Sequence, residues 1–260
     1  MIIRIGTLTA NGGFDVLGLM WCPALSALIT TIILRRKFSA FGWRPGKVKY
    51  LLLSFAVRIV YSFISYIIIW SAGWGTFYNG EFVHNVAATY GWKNYSDSSV
   101  MLLYLLRTVV FGMIINSVAA LGEETGWRGF LVPELFKDVG YTKSSFIVGI
   151  VWAVWHFPLI LFADYNTGTP VWYGLTCFTV MVISLSFIYT WFRLRSKSLW
   201  APVILHATHN LFIQALFTPL TKTTADTKYF IDEFGVVIPF VCMCFAFFYW
   251  SKRSLLTPVS

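Results

Sequence analysis

The sequence predicts an all-α fold: a polytopic membrane helix bundle of about seven to eight transmembrane helices, forming one domain over residues 1–260. The chain is 57% hydrophobic and 12% charged, whereas an average soluble domain is about 45–50% apolar and about 25% charged. So few charges could not cover the surface of a water-soluble domain, and intrinsic disorder needs the opposite composition. Apolar stretches near the ~20 residues that cross a bilayer recur along the chain.

Seven apolar stretches are the candidate spans. In chain order they are 16–34, 50–70, 100–121, 144–162, 170–192, 199–217 and 236–251. A more polar stretch, 123–137, is unsuited to facing lipid, so it forms either an eighth helix packed inside the others or a bent continuation of 100–121. The aromatic side chains of 73–98 favour the membrane interface, which predicts an interfacial loop or a short helix there.

Basic residues set the predicted orientation. Alternate threading of the spans places most Lys and Arg residues on one face, including those of 35–37, 44–49, 193–197 and 252–253. The positive-inside rule makes that face cytoplasmic, so we expect the N-terminus outside and the C-terminus in the cytoplasm. The net charge of +9 therefore points to a membrane topology signal and to lipid contact, and not to nucleic acid as a partner. The run 16–34 ends at a basic cluster, as a membrane span does, so we do not expect a cleavable signal peptide.

Three clusters of polar residues occur at membrane depth, where each charge costs roughly 2.5–3.5 kcal/mol on insertion scales. The clusters are Glu123, Glu124 and Arg128; Trp152, His156 and Pro158; and His206, His209 and Asn210. One such residue alone is more often a hydrogen bond between helices than a catalyst. Three clusters together are much harder to explain by packing, so they predict a functional site.

Helical spacing relates the members of each cluster. Glu124 and Arg128 are four apart and can pair, while Glu123 lies about 100° round the helix from Glu124. Two carboxylates this close should not both ionise readily in a low dielectric. Pro158 is expected to break or kink the helix near His156.

The third cluster also has the four-residue spacing that places two side chains on one face of a helix. His206 and Asn210 share one face, with His209 at its edge.

The isolated polar groups outside the clusters, and the cysteines, are expected to have structural roles. Arg58 and Arg107 should snorkel or pair inside the bundle, His84 should be structural, and the tryptophans near the clusters should serve packing. The cysteines, expected to be buried free thiols, are Cys22, Cys177, Cys242 and Cys244.

The three clusters resemble the motifs of the CPBP intramembrane proteases, a family named for CAAX proteases and bacteriocin-processing enzymes and also called Abi. The family pattern is E-E-x-x-x-R, F-x-x-x-H and H-x-x-x-N on separate helices. Here it reads Glu123-Glu124-x-x-x-Arg128, Trp152-x-x-x-His156 and His206-x-x-x-Asn210. The resemblance covers about 100–217, a family-like catalytic core, and leaves the amino-terminal spans 16–34 and 50–70 outside it.

The resemblance implies hydrolysis of a peptide bond within or at the edge of the membrane. Glu123 and His156 would activate a water, and His206 and Asn210 would hold the oxyanion. Glu124 and Arg128 would pair and fix the geometry, while His209 is outside the pattern. The family is often called metalloprotease-like, and a zinc ion would take its ligands from Glu123, Glu124, His156 and His206. No H-E-x-x-H helix is present, and a glutamate-activated water needs no metal, so we favour a metal-free site with zinc as the alternative.

The substrate class implied is a membrane-associated or lipid-modified protein or peptide, in protein maturation or in bacteriocin immunity. The wider motif forms are typical of bacterial members, which implies a bacterial cell membrane, and the position of the first cluster predicts access from the cytoplasm. Two other functions stay open. A non-catalytic scaffold or immunity protein could bind a partner helix in the same place, and a proton- or ion-coupled transporter also uses buried charges, although no internal repeat is found.

Overall fold

The structure is a computed structural model that describes residues 12–163, 165–166 and 168–256, with side chains from residue 17. The helices of the first half are α1 (Gly12–Ile33), α2 (Val48–Ser71), α3 (Gly80–Tyr90), α4 (Asp97–Arg107) and α5 (Met113–Glu124). Those of the second half are α6 (Val132–Phe162), α7 (Val171–Ser196), α8 (Trp200–His209), α9 (Thr218–Leu220) and α10 (Val237–Ser251). The predicted all-α bundle is confirmed.

Several shorter elements join these helices. Three π-helical segments continue the helices that precede them: π1 (Thr108–Gly112), π2 (Thr125–Leu131) and π3 (Asn210–Phe217). Turns of 3₁₀-helix lie at Phe38–Phe41, Thr227–Tyr229 and Arg253–Leu255. Two short strands, β1 (Thr76–Phe77) and β2 (Thr221–Lys222), pair antiparallel. The stretch 73–98 thus contains the short helix α3, one of the two forms predicted for it.

The stretch 97–162 is one helical run with a kink at a single residue. It passes through α4, π1, α5, π2 and α6, and Gly140 alone has a non-helical backbone within α6, at φ 70° and ψ −178°. A positive φ is accessible to glycine without a Cβ clash. Residues 123–137 are therefore a continuation of 100–121 and not a separate eighth helix. Of the break or kink expected near His156, the break is absent, because the backbone stays helical through Pro158 to Phe162.

Contacts between loops define the two ends of the bundle. At one end Leu199 N donates to Gly42 O, and Arg36 approaches Glu134 at 3.8 Å, which brings the basic loops together as the threading predicts. At the other end β1 pairs with β2, and Trp74 stacks on Phe230 with ring centroids 4.1 Å apart. The loops that the predicted threading assigns to opposite faces of the membrane therefore lie at opposite ends of the bundle.

Many large apolar side chains are exposed on the outside of the bundle, which suits a lipid solvent, and charged side chains such as Arg58, Glu124 and Arg128 are buried among the apolar residues of its interior. Among the described residues, three helical stretches are long and apolar enough to cross a membrane: Val48–Ser71, Asp97–Phe162 and Val171–Ser196. Shorter apolar helices are Leu17–Ile33 and Val237–Ser251. The number of crossings stays a prediction. Cys177 and Cys242 are buried and Cys22 is partly so, but Cys244 is exposed, which corrects the expectation that all four are buried.

Candidate active site

Glu124 connects the first and third predicted clusters. Its Oε1 accepts hydrogen bonds from Arg128 Nη1 at 3.1 Å and from His206 Nδ1 at 2.9 Å. All three side chains are buried. The Arg128 guanidinium also lies 4.3 Å from the ring centre of Trp152 and 4.5 Å from that of Tyr189. The predicted pairing of Glu124 with Arg128 is therefore present, and it is shared with an imidazole from another helix.

Glu123 connects the first and second clusters. Its Oε2 accepts hydrogen bonds from Trp152 Nε1 at 2.6 Å and from Trp127 Nε1 at 3.4 Å. Its Oε1 has no hydrogen bond within the described part of the chain. The two tryptophans, expected to serve packing, in fact hold one carboxylate oxygen and leave the other available to accept a proton.

Among the residues that the structure describes, one ring nitrogen of His156 has a hydrogen-bond partner and the other has none. Its Nδ1 lies 2.9 Å from the backbone oxygen of Trp152. Because a carbonyl oxygen can only accept, Nδ1 must bear the proton, and in the neutral ring Nε2 then has the lone pair. The ring is half-buried and faces Tyr165 and Phe178, at centroid distances of 6.2 and 5.1 Å. His156 is thus fixed as the tautomer that can accept a proton at Nε2.

Asn210 occupies the place that its spacing from His206 predicts, one turn further along the same helix. It is the first residue of π3, directly after the end of α8. Its side chain is buried and makes no hydrogen bond with the residues that the structure describes. The amide is therefore a buried donor free to bind a substrate oxygen.

His209, the neighbour outside the family pattern, has both ring nitrogens engaged. Its Nε2 lies 2.9 Å from Glu233 Oε1, so this nitrogen bears the proton. Its Nδ1 accepts from Arg58 Nη1 at 3.1 Å, and the Tyr61 hydroxyl contacts the same atom. No nitrogen is left to exchange a proton with a substrate, so His209 supports the site without taking part in proton transfer.

Arg58 comes from α2, within an amino-terminal span that the family resemblance does not reach. It is fully buried, so of the two expectations, snorkelling and pairing, pairing is right. Its guanidinium lies 4.6 Å from the Tyr189 ring centre, on which Arg128 also packs, and 4.8 Å from that of Tyr61. Arg107 instead packs on Tyr90, at 4.4 Å. His84 lies 3.6 Å from Asp97 at the surface, away from the site.

Glu233 is a buried carboxylate that sequence reasoning missed. Its Oε1 accepts from His209 Nε2 at 2.9 Å and from Gln214 Nε2 at 3.1 Å, and its Oε2 accepts from the Tyr165 hydroxyl at 2.6 Å. Burial alone would raise the pKa of Glu233, but the hydrogen bonds from His209 and Tyr165 outweigh it and lower that pKa. Burial raises the pKa of the Tyr165 phenol well above its ordinary value, which keeps it a donor.

No sequence signal distinguishes Glu233. It follows Asp232 in a loop, outside any predicted span, and its partners come from distant parts of the chain. Only the tertiary fold identifies it.

The predicted site residues do not fit a zinc ion in this geometry. Structural and catalytic zinc sites use about three protein ligands or more at roughly 2.0–2.3 Å. Among the described residues, no group of three His, Cys, Asp or Glu side chains could hold a metal ion. Glu124 and His206 are hydrogen-bonded to each other, and Glu123 Oε2 is occupied by two indoles.

Comparison with known proteins covers the part of the chain that contains these clusters. Residues 98–212 match the family model described as type II CAAX prenyl endopeptidase, Rce1-like. A relative named CAAX prenyl protease 2, from Methanococcus maripaludis, is 33% identical over 154 residues, which are 56% of this chain and 49% of that protein. The chain thus spans about half the length of the relative it matches. Residues 98–212, which hold all three motifs, are similar to the Rce1-like CAAX prenyl endopeptidases, and the resemblance predicted from those motifs is confirmed.

Proposed function

We propose that this chain is an intramembrane endopeptidase that hydrolyses a peptide bond of a membrane-associated or lipid-modified protein. One observation carries the proposal: the three clusters, from three separate parts of the sequence, meet around the adjacent carboxylates Glu123 and Glu124. Glu123, Glu124 and His206 are buried there. Within the described part of the chain, one carboxylate oxygen, one imidazole nitrogen and one amide of the clusters have no hydrogen-bond partner. A helix-packing role would not require those three groups to be left free.

In the proposed reaction Glu123 is the general base. Its free Oε1 takes a proton from water while the water oxygen bonds to the substrate carbonyl carbon. His156 Nε2 accepts the second water proton as a hydrogen bond and orients the attack. When the tetrahedral intermediate collapses, the carbon–nitrogen bond breaks and the proton on Glu123 moves to the leaving amine.

The oxyanion is bound by His206 and Asn210 in this proposal. The Asn210 amide can donate directly. His206 already donates through Nδ1 to Glu124, so it can donate to an oxyanion only through a protonated Nε2, that is, as an imidazolium. The Glu124 carboxylate stabilises that cation, and removal of a donor of this kind costs about 10²–10³ in kcat in other hydrolases.

The substrate class is proposed from the comparisons and from the surroundings of the site. The relative's name concerns prenylated CAAX proteins, whose lipid lies on a cysteine near the C-terminus. An apolar bundle surface suits a substrate that arrives through lipid. We include peptide maturation and bacteriocin immunity as roles that the same chemistry would serve.

The orientation and the side of access are also part of the proposal. We propose that the basic loops and the C-terminus lie in the cytoplasm and the N-terminus outside, because the basic loops share one end of the bundle. The bacterial cell membrane is proposed from the motif forms alone. His206 lies six residues into α8 from that end, which is about 9 Å along the helix. This depth supports entry of water from the cytoplasm.

A direct test uses wild type, Glu123→Gln and His156→Ala in detergent, with Thr176→Val as an exposed control on α7. Each protein is given a farnesylated C-a-a-X peptide, the same peptide without the lipid, and a transmembrane-anchor peptide. Cleavage by wild type and Thr176→Val, and by neither site variant, is the expected result. Cleavage unaffected by a chelator, with no zinc in the protein, would support the metal-free form.

The alternatives predict different outcomes. A scaffold or immunity protein would keep its cellular phenotype when Glu123 is replaced by Gln. A transporter would cleave nothing and would move protons or ions in vesicles in a Glu123-dependent manner. Either result would overturn the peptidase proposal.

A further inference from the structure

Glu233 binds two side chains of one helix, at an unusual spacing. Its Oε1 accepts from His209 Nε2 at 2.9 Å and from Gln214 Nε2 at 3.1 Å. His209 is the last residue of α8, and Gln214 lies within π3. The two residues are five positions apart, and one carboxylate oxygen holds both.

This spacing distinguishes a π-helix from an α-helix. Five residues of α-helix turn through about 500°, so residues i and i+5 point about 140° apart. A π-helix closes its hydrogen bonds from i to i+5, so two residues five apart are separated by about one turn and lie on the same side of the helix. A single oxygen that binds both side chains therefore fits the π-helical form of this segment and does not fit the α-helical form.

The π-helical form also begins at a site residue. Asn210 is the first residue of π3, immediately after His209. A π-helical turn is less common than an α-helical one and occurs frequently at functional sites. The turn before Asn210 is α-helical, since the backbone N–H of Asn210 donates to His206 O. The π-helical turn therefore fixes the backbone that follows Asn210 and the neighbours its amide packs against.

We propose that Glu233 is a positioning residue: by bridging His209 and Gln214 it holds the π-helical turn that aims Asn210 at the substrate. The inference rests on the proposed function for its catalytic consequence, but its structural part is independent. Glu233 lies outside the matched residues 98–212. Its second oxygen is bound by Tyr165, whose ring faces His156 at 6.2 Å, so the same carboxylate ties two outer loops to the site.

The structural test is a cross-linking measurement of helix register. Phe55 on α2 faces Phe212 in π3, with ring centroids 6.2 Å apart. In a chain with its four cysteines replaced, Phe55→Cys is combined in turn with Leu211→Cys, Phe212→Cys and Ile213→Cys and treated with a short bifunctional thiol reagent. When Glu233 is unchanged, the cross-link between positions 55 and 212 should form in the highest yield. In Glu233→Leu the π turn relaxes toward α-helix, and the highest yield should move to 211 or 213.

Three further variants separate the bridge from general packing. Glu233→Gln keeps an oxygen that can accept from both donors, so it should keep the yield at 212. Gln214→Leu removes one hydrogen-bond donor from a half-buried side chain and keeps the charge of Glu233. It should therefore shift the position of highest cross-linking yield even if Glu233→Leu does not fold. Tyr141→Phe is the matched control, since it removes a tyrosine hydrogen bond to Phe187 O, at 2.8 Å, away from the site.

The catalytic test follows kcat and KM separately. We expect kcat to fall about 10²-fold in Glu233→Leu and Gln214→Leu, with KM nearly unchanged, because a misplaced oxyanion donor acts on the transition state. Glu233→Gln should retain kcat to within about threefold. Tyr141→Phe should lower the unfolding temperature and leave kcat and KM unchanged.

The outcomes are distinguishable. An unchanged yield at 212 in both Leu variants overturns the bridge, whatever their activity. A shifted register with normal kcat overturns the positioning role of Glu233. A wild type that cleaves no peptide refutes the proposed function, while the cross-links still decide whether Glu233 holds the π turn.

Discussion

His206 Nδ1 lies 2.9 Å from Glu124 Oε1, although the two residues are 82 positions apart in the sequence. The contact joins α8 to the end of α5 at a buried point where the same oxygen also accepts from Arg128. Because Nδ1 donates to the carboxylate, the chemistry at the opposite ring nitrogen depends on the charge of Glu124. The pair therefore links a structural ion pair to a proposed catalytic donor.

Glu124→Gln should lower kcat of the proposed peptidase by about 10²-fold while KM changes little. The amide can still accept from Nδ1, but it no longer stabilises an imidazolium, so Nε2 loses the proton it would donate to the oxyanion. Steady-state kinetics on the best-cleaved peptide measure the effect. Thr208→Val on the same helix, whose hydroxyl bonds Ile204 O, is the control, and a Gln variant with the control's kcat would contradict the imidazolium role.

Trp152→Phe should lower kcat more than Trp127→Phe. Both indoles donate to Glu123 Oε2, at 2.6 Å from Trp152 and at 3.4 Å from Trp127. A hydrogen bond to a charged group contributes about 1.5–3 kcal/mol, so the shorter bond should account for roughly 10-fold or more in rate, and the longer one for much less. Since the substitution and the acceptor are the same, equal losses would show that ring packing, and not the hydrogen bond, positions Glu123.

The sequence predicted which helices carry the candidate site because residue spacing and hydrophobicity are local properties. The Glu124–Arg128 pair and the shared helix face of His206 and Asn210 follow from four-residue spacing alone. The apolar pattern located α2, α7 and α10 within a few residues. Each of these expectations needs only the helix geometry of one segment.

What the sequence could not predict depends on contacts between segments. Arg58 and Glu233 join the site from opposite ends of the chain, and neither stands in a pattern that local geometry can interpret. Pro158 was expected to break or kink a helix, but the backbone stays helical through it. A kink falls instead at Gly140, where the backbone adopts a positive φ.

Arg128→Ala should lower the free energy of unfolding by about 3–5 kcal/mol, because it leaves Glu124 buried without its cation. Lys137→Ala is the matched control: Lys137 pairs with Glu134 at 2.7 Å, a shorter distance than the 3.1 Å of Arg128 and Glu124. The Lys137 pair is exposed at 49% and 37%, whereas both side chains of the Arg128 pair are at 0%. Exposed pairs contribute about 0–1 kcal/mol. Thermal unfolding in detergent compares the two, and similar losses would mean that burial does not strengthen the inner pair.

Gly126→Ala should destabilise the contact between α1 and π2. A Cβ on Gly126 would lie 2.6 Å from Pro23 Cβ and 2.7 Å from Pro23 O, so the two helices would have to separate. Overpacking of this kind costs about 1–3 kcal/mol. Gly18→Ala, on α1 with nothing within 4 Å of the added Cβ, should leave stability unchanged or raise it slightly. If Gly126→Ala unfolds at the wild-type temperature, α1 is not packed against the motif helix as described.

Glu233 should make the stability of the bundle depend on pH. Its folded pKa is lowered from the ordinary 4.5: burial opposes the ionised form, and the hydrogen bonds from His209 and Tyr165 more than offset burial. Because the folded pKa is the lower one, the stabilisation is complete above pH 4.5 and is lost as pH falls through the folded value.

The measurement compares wild type with Glu233→Gln, which cannot titrate, from about pH 7 to about pH 3.5. Other titrating groups are common to both proteins and cancel in the difference. The gap in unfolding temperature should stay constant down to about pH 5 and then narrow, since protonation removes from wild type what the variant already lacks. Glu134→Gln, an exposed carboxylate, should show little gap at any pH. A gap that widened at acid pH would mean that Glu233 is protonated in the folded protein, and that its bonds to His209 and Gln214 are those of a neutral acid.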